Sequence, residues 1–575
     1  MRLTLACVLV MASVAPVAAQ RWQDATASCL GTTAEWSSKL ELADVDGDGQ
    51  VDILVANGGD YDRAGTPEPA RVWKNLANWS DPAATHCQDI SQQAVLGFTG
   101  LSRTIKVADV DGDGDLDIFT GGSYQTQAHL YLRGADGWTD ATDQLPQQLT
   151  SIGDAEWGDV DGDGDLDLVI ADWGPIAPAA NNYVGGRTRL YLNDGTGHFT
   201  DATATRMPAT LVGWSWDLTL ADVDGDYALD ILVSCKACAG SYLFHNNGTG
   251  VFTEVVGALP QRPNNYALEP MDIDGDGDLD LATINDGAGG KNRILVNDGH
   301  GMFTDETATR LTGTANPGTD DNAVVFLDVD SDGDADMLVA SLSGPERLLL
   351  NDGTGTFTLA TGAATPDDTP GSLGIAVADL DGDGRLDVVQ SQGEVAFPEK
   401  VQLATAAGVS VDTAAPVIAS VEQLTIAGGV VRARVHDHQS PSRAHDWKRV
   451  WLVVDTTTEV DMRWYGEYLW AATAPPGGSS YQVCAQDRRG NQACSDVRST
   501  RPVADDAGVS PDAGGNPDPG HGGGCCDAGS DPRATFGLAG LVLAGLGFGF
   551  GSRLSARSRS TARRSGSAPR RRPSA

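Results

Sequence analysis

The sequence predicts an all-β chain: a seven-bladed β-propeller over residues 20–411, a small β-sandwich over 412–500, and a disordered stalk behind it. Three observations carry this expectation. A nine-residue acidic pattern, complete in Asp159-Val160-Asp161-Gly162-Asp163-Gly164-Asp165-Leu166-Asp167, occurs seven times between residues 44 and 387. Its copies begin at Asp44, Asp109, Asp159, Asp222, Asp272, Asp328 and Asp379, a spacing of 50 to 65 residues that marks stacked or radial supersecondary units. A second phrase, residues 189–203, follows the third copy and recurs at 293–307 and 347–361.

Within one copy the spacing has a chemical reading. Calcium takes six to eight oxygens, and a tight loop with Asp at alternate positions turns three carboxylates toward one ion. Those carboxylates are Asp44, Asp46 and Asp48; Asp109, Asp111 and Asp113; Asp159, Asp161 and Asp163; Asp222, Asp224 and Asp226; Asp272, Asp274 and Asp276; Asp328, Asp330 and Asp332; and Asp379, Asp381 and Asp383. The seventh position varies freely (Gln50, Asp115, Asp165, Ala228, Asp278, Asp334, Arg385), as expected of a residue that offers the ion only its carbonyl oxygen. The ninth position closes the shell with Asp52, Asp117, Asp167, Asp230, Asp280, Asp336 or Asp387. One such loop alone reads equally well as an acidic surface turn. Seven at a regular period favour the ion.

The flanks of the loops predict strands. Alternating apolar residues such as Leu40 and Leu42 precede a loop, and short aliphatic runs such as Leu168-Val169-Ile170 follow it. The phrase Arg189-Leu190-Tyr191-Leu192-Asn193-Asp194-Gly195 then reads as a strand and a turn, with Phe199-Thr200-Asp201 as the returning strand. Each repeat is therefore four strands, and seven such repeats make a propeller. The last repeat lacks a clear fourth strand. Arg21-Trp22-Gln23-Asp24-Ala25-Thr26 carries the missing phrase and would close the ring; residues 408–412 are the alternative.

Charge and targeting signals narrow the function classes. The formal net charge is −40, with 79 acidic residues against 39 basic ones and much of the excess in the loops, which excludes nucleic acid as a natural partner. Residues 1–19 read as a secretory signal: Arg2, an apolar run, then Val17-Ala18-Ala19. The exported chain would then pair Cys29 with Cys87 and Cys484 with Cys494, and Cys235 with Cys238 could form a local bridge.

The loop, the hairpin phrase, their period and their number together resemble the FG-GAP/VCBS repeats of integrin α-chain propellers and their bacterial relatives. That resemblance covers residues 21–411 and implies calcium bound between the first two strands of each blade. It also implies adhesion or recognition. Two copies depart from it. Tyr227 replaces the sixth-position glycine of the fourth loop, placing positive φ on a bulky residue and putting that site in doubt, and Ser331 replaces the fourth-position glycine of the sixth.

Beyond residue 412, short apolar runs at 417–424, 430–435, 450–454, 462–470 and 481–485 predict a sandwich. Its end, residues 481–494, resembles the last hairpin of bacterial immunoglobulin-like modules. His436, His438 and His445 form a candidate metal trio, weighed against ordinary strand and loop positions. Residues 501–534 are a linker rich in Asp, Gly and Pro. Residues 535–575 hold an apolar segment and an arginine-rich end. With Cys525 and Cys526 just before it, this tail resembles a myxobacterial sorting signal that retains the protein at the cell surface; a plain membrane anchor is the alternative.

No catalytic motif stands out, so the sequence favours a non-enzymatic, calcium-binding surface protein with a protein or glycan partner. The competing class is an exported enzyme cleaving polysaccharide or phosphoester, for which Glu41, Glu156 and Glu269, each three residues before a loop, could face a shared channel. If strands alternate in direction, the long insertions at 58–70 and 172–187 stand on the face opposite calcium. That face would gather Trp36, Trp173, Tyr183, Trp214, Trp216 and Tyr266, either as a ligand surface or as packing between blades.

Overall fold

Each acidic loop lies between two strands, as the apolar alternation around it requires. In the third repeat Ile152–Gly158 runs into the loop and Asp167–Asp172 leaves it antiparallel, with Trp157 opposite Leu168. Arg189–Asn193 returns along the second strand, and Phe199–Asp201 completes the sheet. These observations come from a computed structural model, which describes residues 20–60, 65–177, 182–183, 185–285, 290–361, 371–393, 397–424 and 428–500. The expected leader, linker and C-terminal segment, with Cys525 and Cys526, lie outside the described residues.

Among the described residues there are seven four-stranded antiparallel sheets of this kind. Their first strands are Ser37–Ala43, Ser102–Ala108, Ile152–Gly158, Leu218–Ala221, Asn265–Met271, Asp321–Leu327 and Ser372–Ala378. Each packs against the next, and the last packs against the first, a propeller-like arrangement. The second strands are buried along their whole length because neighbouring sheets cover both of their faces, which explains their unbroken aliphatic runs.

The N-terminus closes the last sheet. Trp22–Asp24 pairs with Lys400–Ala404, placing Trp22 opposite Ala404, whereas residues 408–412 form no strand. The shared phrase acts the same way in both settings: Thr203 Oγ1 accepts the N–H of Leu190, and Thr26 Oγ1 accepts that of Val401, each at 3.1 Å. Pairing with the N-terminal strand leaves the third strand of this sheet with no open edge.

The asparagine ending the third strand joins neighbouring sheets. Asn193 Nδ2 donates to the carbonyl of Val110, 2.7 Å away in the preceding repeat's acidic loop. Asn246, Asn297 and Asn351 do the same to Val160, Val223 and Ile273, and Asn75 reaches Leu380 across the closure. In the second repeat Arg133 stands at this position and donates to the carbonyl of Asp46. A buried amide satisfied in this way contributes about 1 kcal/mol net and costs more when left unpaired.

Residues 417–499 form two further antiparallel sheets. One runs Val417–Val421, Val430–His436, Leu469–Thr473, Arg463–Gly466; the other is built around Trp447–Val454 and Ser480–Asp487. Val431, Val435, Leu452, Trp470 and Val483 share the core between them. The single strand expected over 462–470 is instead a tight hairpin with Trp464 opposite Trp470, turning through Tyr468 at φ 60°. All three disulfides anticipated above are present: Cys29–Cys87, Cys235–Cys238 and Cys484–Cys494.

Candidate metal centres and the axial channel

The acidic loops share one hydrogen-bond plan. The first Asp accepts loop amides, as Asp159 Oδ1 does from Gly162 at 2.8 Å. The fifth accepts the N–H of the seventh residue: Asp165 onto Asp163, Ala228 onto Asp226, Arg385 onto Asp383. Only the backbone of the seventh residue enters this bond, so its side chain is free to vary. The ninth Asp is buried and uses both oxygens, Asp167 accepting from Val160 at 3.2 Å and from Asn193 at 2.9 Å. Positive φ falls where the glycines predicted it. Tyr227 takes φ 65° and Ser331 φ 60°, and Tyr227 still donates its N–H to Asp222, as Gly277 does to Asp272.

These residues fit a hard cation. Ligand oxygens of Asp159, Asp161 and Asp167 lie within 4.8 Å of one another, as do those of Asp272, Asp274 and Asp276. Oδ1 of the third-position Asp is buried with no hydrogen-bond partner in the first, third, fourth and fifth loops, at Asp46, Asp161, Asp224 and Asp274. Burial, opposed by the N–H of Asn193 and reinforced by neighbouring loop carboxylates, pushes Asp167 up to about 8. An all-oxygen set of this kind suits calcium, which in the third loop Asp159, Asp161, Asp163, Asp167 and the carbonyl of Asp165 would hold. Two loops differ. Lys74 Nζ pairs with Asp46 and Asp48 in the first, and His245 Nδ1 lies 3.1 Å from Asp224 in the fourth, pushed up to about 9 by its hydrogen bond to Asp230.

The residue three before each loop faces the axis. Glu41, Lys106, Glu156, Thr219, Glu269, Val325 and Ala376 all line one cavity of about 130 Å³, so the three glutamates do project into a shared channel. They are not left to solvent. Arg443 enters from the sandwich, with its Nε 3.1 Å from Glu41, Nη2 3.1 Å from Glu156 and Nη1 3.2 Å from Glu467. Lys106 also pairs with Glu156. Burial and the adjacent Glu467 hold Glu269 well above the usual carboxylate range, and burial against the opposing pull of Arg443 puts Glu467 at about 7. Deeper in the channel, Lys39 pairs with Asp154 and Asp217.

Sequence reasoning missed this seating of the sandwich on the loops. Arg463 Nη2 lies 2.8 Å from Asp159, Tyr465 accepts the N–H of Asp159, and Arg434 donates to the carbonyls of Asp222 and Gly277. Tyr468 donates to the carbonyl of Pro270, and Arg489 pairs with Asp379. Four arginines on loops and strand ends of a sandwich have no local signature; only the acidity of the repeats hinted at a basic counterpart.

Four of the six aromatics converge, Trp214 packing against a buried cluster of Trp173, Trp216 and Tyr266, as the packing alternative expects. Trp173, Trp216 and Tyr266 are 0%, 2% and 1% exposed and form one cluster, so the expectation that they stand at a rim is corrected. Trp173 Nε1 donates to the carbonyl of Ser215, and its ring stacks 5.1 Å from that of Trp216. Arg103 lies 4.2 Å over Trp216, and Lys236 lies 4.6 Å over Tyr266. Trp36 and Trp214 are half-buried. Tyr183 pairs with Ile176 through its backbone, and its side chain lies outside the description. Trp216 and Tyr266 also line the axial cavity, whose lining reaches Arg443 of the sandwich.

The histidine trio is likewise divided. His445 Nε2 contacts the carbonyl of Leu42 at 2.7 Å, while the rings of His436 and His438 meet edge to face 5.4 Å apart. No helix among the described residues is long and apolar enough to cross a membrane.

Four stretches, residues 56–170, 179–233, 272–339 and 328–389, match the family model of the FG-GAP-like repeat and together cover half of the chain. No curated protein matches it. Among solved structures the chain is similar to the exotype rhamnogalacturonan lyase YesX, at 13% identity over 66% of this chain and 73% of that one, TM-score 0.36. It is also similar to the extracellular domain of the hybrid two-component system BT4673 from B. thetaiotaomicron (10% identity, 83% and 58% covered, TM-score 0.37). A third is the V. cholerae biofilm matrix protein Bap1 (12% identity, 84% and 76% covered, TM-score 0.33).

Proposed function

The chain belongs to the FG-GAP-like repeat family, and from that premise we propose that it is an exported, surface-held, calcium-stabilised seven-bladed propeller that binds a protein or glycan partner. Its sandwich is an immunoglobulin-like module that caps the calcium-loop face. The partner meets the opposite face, through the outer surfaces of the loops there and not in the channel. One observation carries this reading: two of the three axial glutamates, Glu41 and Glu156, are paired with Arg443 from inside the molecule. A buried arginine shared by Glu41, Glu156 and Glu467 ties up two of the three axial glutamates as an ion-pair network, which argues against their serving as a solvated acid and base pair. Export is supported by three disulfides, which persist in oxidising compartments. Retention at a bacterial cell surface, through the C-terminal segment or a lipid that replaces it, completes the proposal.

The test is a glycan array and a cell-surface pull-down with the purified exported chain. The proposal expects saturable retention of a partner and no turnover. Sustained cleavage of a polysaccharide or phosphodiester, lost in Glu156→Gln while folding is retained, would replace it with the enzymatic reading.

A further inference from the structure

The seven acidic loops are not equivalent: arginines meet a single carboxylate in several of them, Arg206 at Asp161 and Arg310 at Asp274 among them, but among the described residues only Lys74 and His245, both on the neighbouring strand, bridge two carboxylates of one loop. The residue just before the one that donates its N–H to the ninth Asp is Lys74, Leu132, Leu192, His245, Val296, Leu350 and Leu403 in chain order. Five repeats therefore place an aliphatic side chain beside their loop. The first places a lysine there, and its ammonium bridges the carboxylates of the third and fifth loop positions, Asp46 and, at 2.8 Å, Asp48.

Asp46 and Asp48 are the same groups a calcium ion would need from this loop. An ammonium has three donors and no acceptor, so it satisfies one oxygen each of Asp46 and Asp48 in the ion's place, leaving Asp46 Oδ1 without a partner, and offers the ion nothing. A divalent cation bound there would have to displace Lys74 or share two carboxylates with a like charge in contact with both. The side chain is attached to the strand that pairs with the loop's own second strand, Trp73 opposite Ile53, so its local concentration never falls.

We propose that Lys74 is the built-in cation of the first loop, and that this repeat is held together without calcium while repeats flanked by leucine or valine take the ion. The inference rests on the calcium reading of those other loops. Its consequence is that the closure of the ring, where Asn75 meets Leu380, stays formed when calcium is scarce.

The experiment is a count of bound calcium per chain by equilibrium dialysis of the exported chain, native against Lys74→Leu. Leucine is what the second, third, sixth and seventh repeats carry, and a melt in EDTA checks that the variant is folded. The expected result is one additional ion per chain in Lys74→Leu and none in Lys74→Arg. Equal counts for native and Lys74→Leu, with ions bound to both, would overturn the inference. The reverse exchange, Leu192→Lys, is expected to remove one ion, and an unchanged count there would overturn it equally. A native count of zero would instead overturn the calcium reading of the proposed function.

Discussion

Replacing Arg443 by methionine removes the positive charge from the middle of the axial channel while keeping much of the side chain's length. The guanidinium is nine-tenths buried and lies about one hydrogen bond from each of Glu41, Glu156 and Glu467. Removing one partner of a buried ion pair typically costs about 3–5 kcal/mol, because it is the stranded charge that is destabilising. Lys106 still holds Glu156, so the cost falls mainly on Glu41 and Glu467. Glu467 can escape by taking up a proton, which fixes the sign of the pH dependence. Glu467 already sits at about 7 in the folded protein, above its unfolded value. A carboxyl raised on folding contributes stability that is complete below its unfolded pKa and is lost as pH rises through its folded one. The deficit of Arg443→Met is therefore expected to be small near pH 5 and full at pH 8. The assay is calorimetric melting of native and variant chains across that range in constant calcium, with a drop in Tm on the order of 5 °C at pH 8. Melts that coincide at pH 8, or a deficit larger at pH 5 than at pH 8, would refute the assignment of Arg443 as the neutralising group.

Trp173→Ala is expected to cost about 3–5 kcal/mol of stability, as for other fully buried aromatics, and to lower Tm in the absence of any partner; an unchanged melt would return Trp173 to the surface. Asn193→Ala should cost about 1–3 kcal/mol by leaving the carbonyl of Val110 and its neighbours unpaired. Asn193→Asp, which keeps the size but loses the donor, should be no better, and full stability in either would remove the link between sheets.

What the sequence made legible was whatever repeats. The acidic loop has a fixed internal spacing and the hairpin phrase a fixed offset from it, so strand order, the burial of Leu168–Ile170 and the closing role of Trp22–Asp24 could be read from period and phrase alone. Tyr227 was placed correctly at positive φ because a glycine position is defined by its neighbours. The remainder depended on contacts between segments distant in the chain. Asn193 read as a turn residue because its second partner, Val110, is 83 residues away. Arg443 carries no local sign of its role, because nothing near it in sequence foretells Glu41, 402 residues distant. The aromatics were misplaced for a related reason: next to an insertion, Trp173 resembles a rim residue, and only the convergence of the third, fourth and fifth sheets buries it against Trp216 and Tyr266.

The central claim is that the acidic loops hold calcium and that calcium holds the fold. A melt of the exported chain in millimolar calcium against one in excess EDTA tests this most directly. At free calcium near 100 times Kd each occupied loop adds roughly 2.7 kcal/mol to the folded state, so several loops together rival the whole stability of an ordinary domain. The account predicts that chelation lowers Tm by many degrees and that calcium restores it. Two melts that superimpose would contradict it.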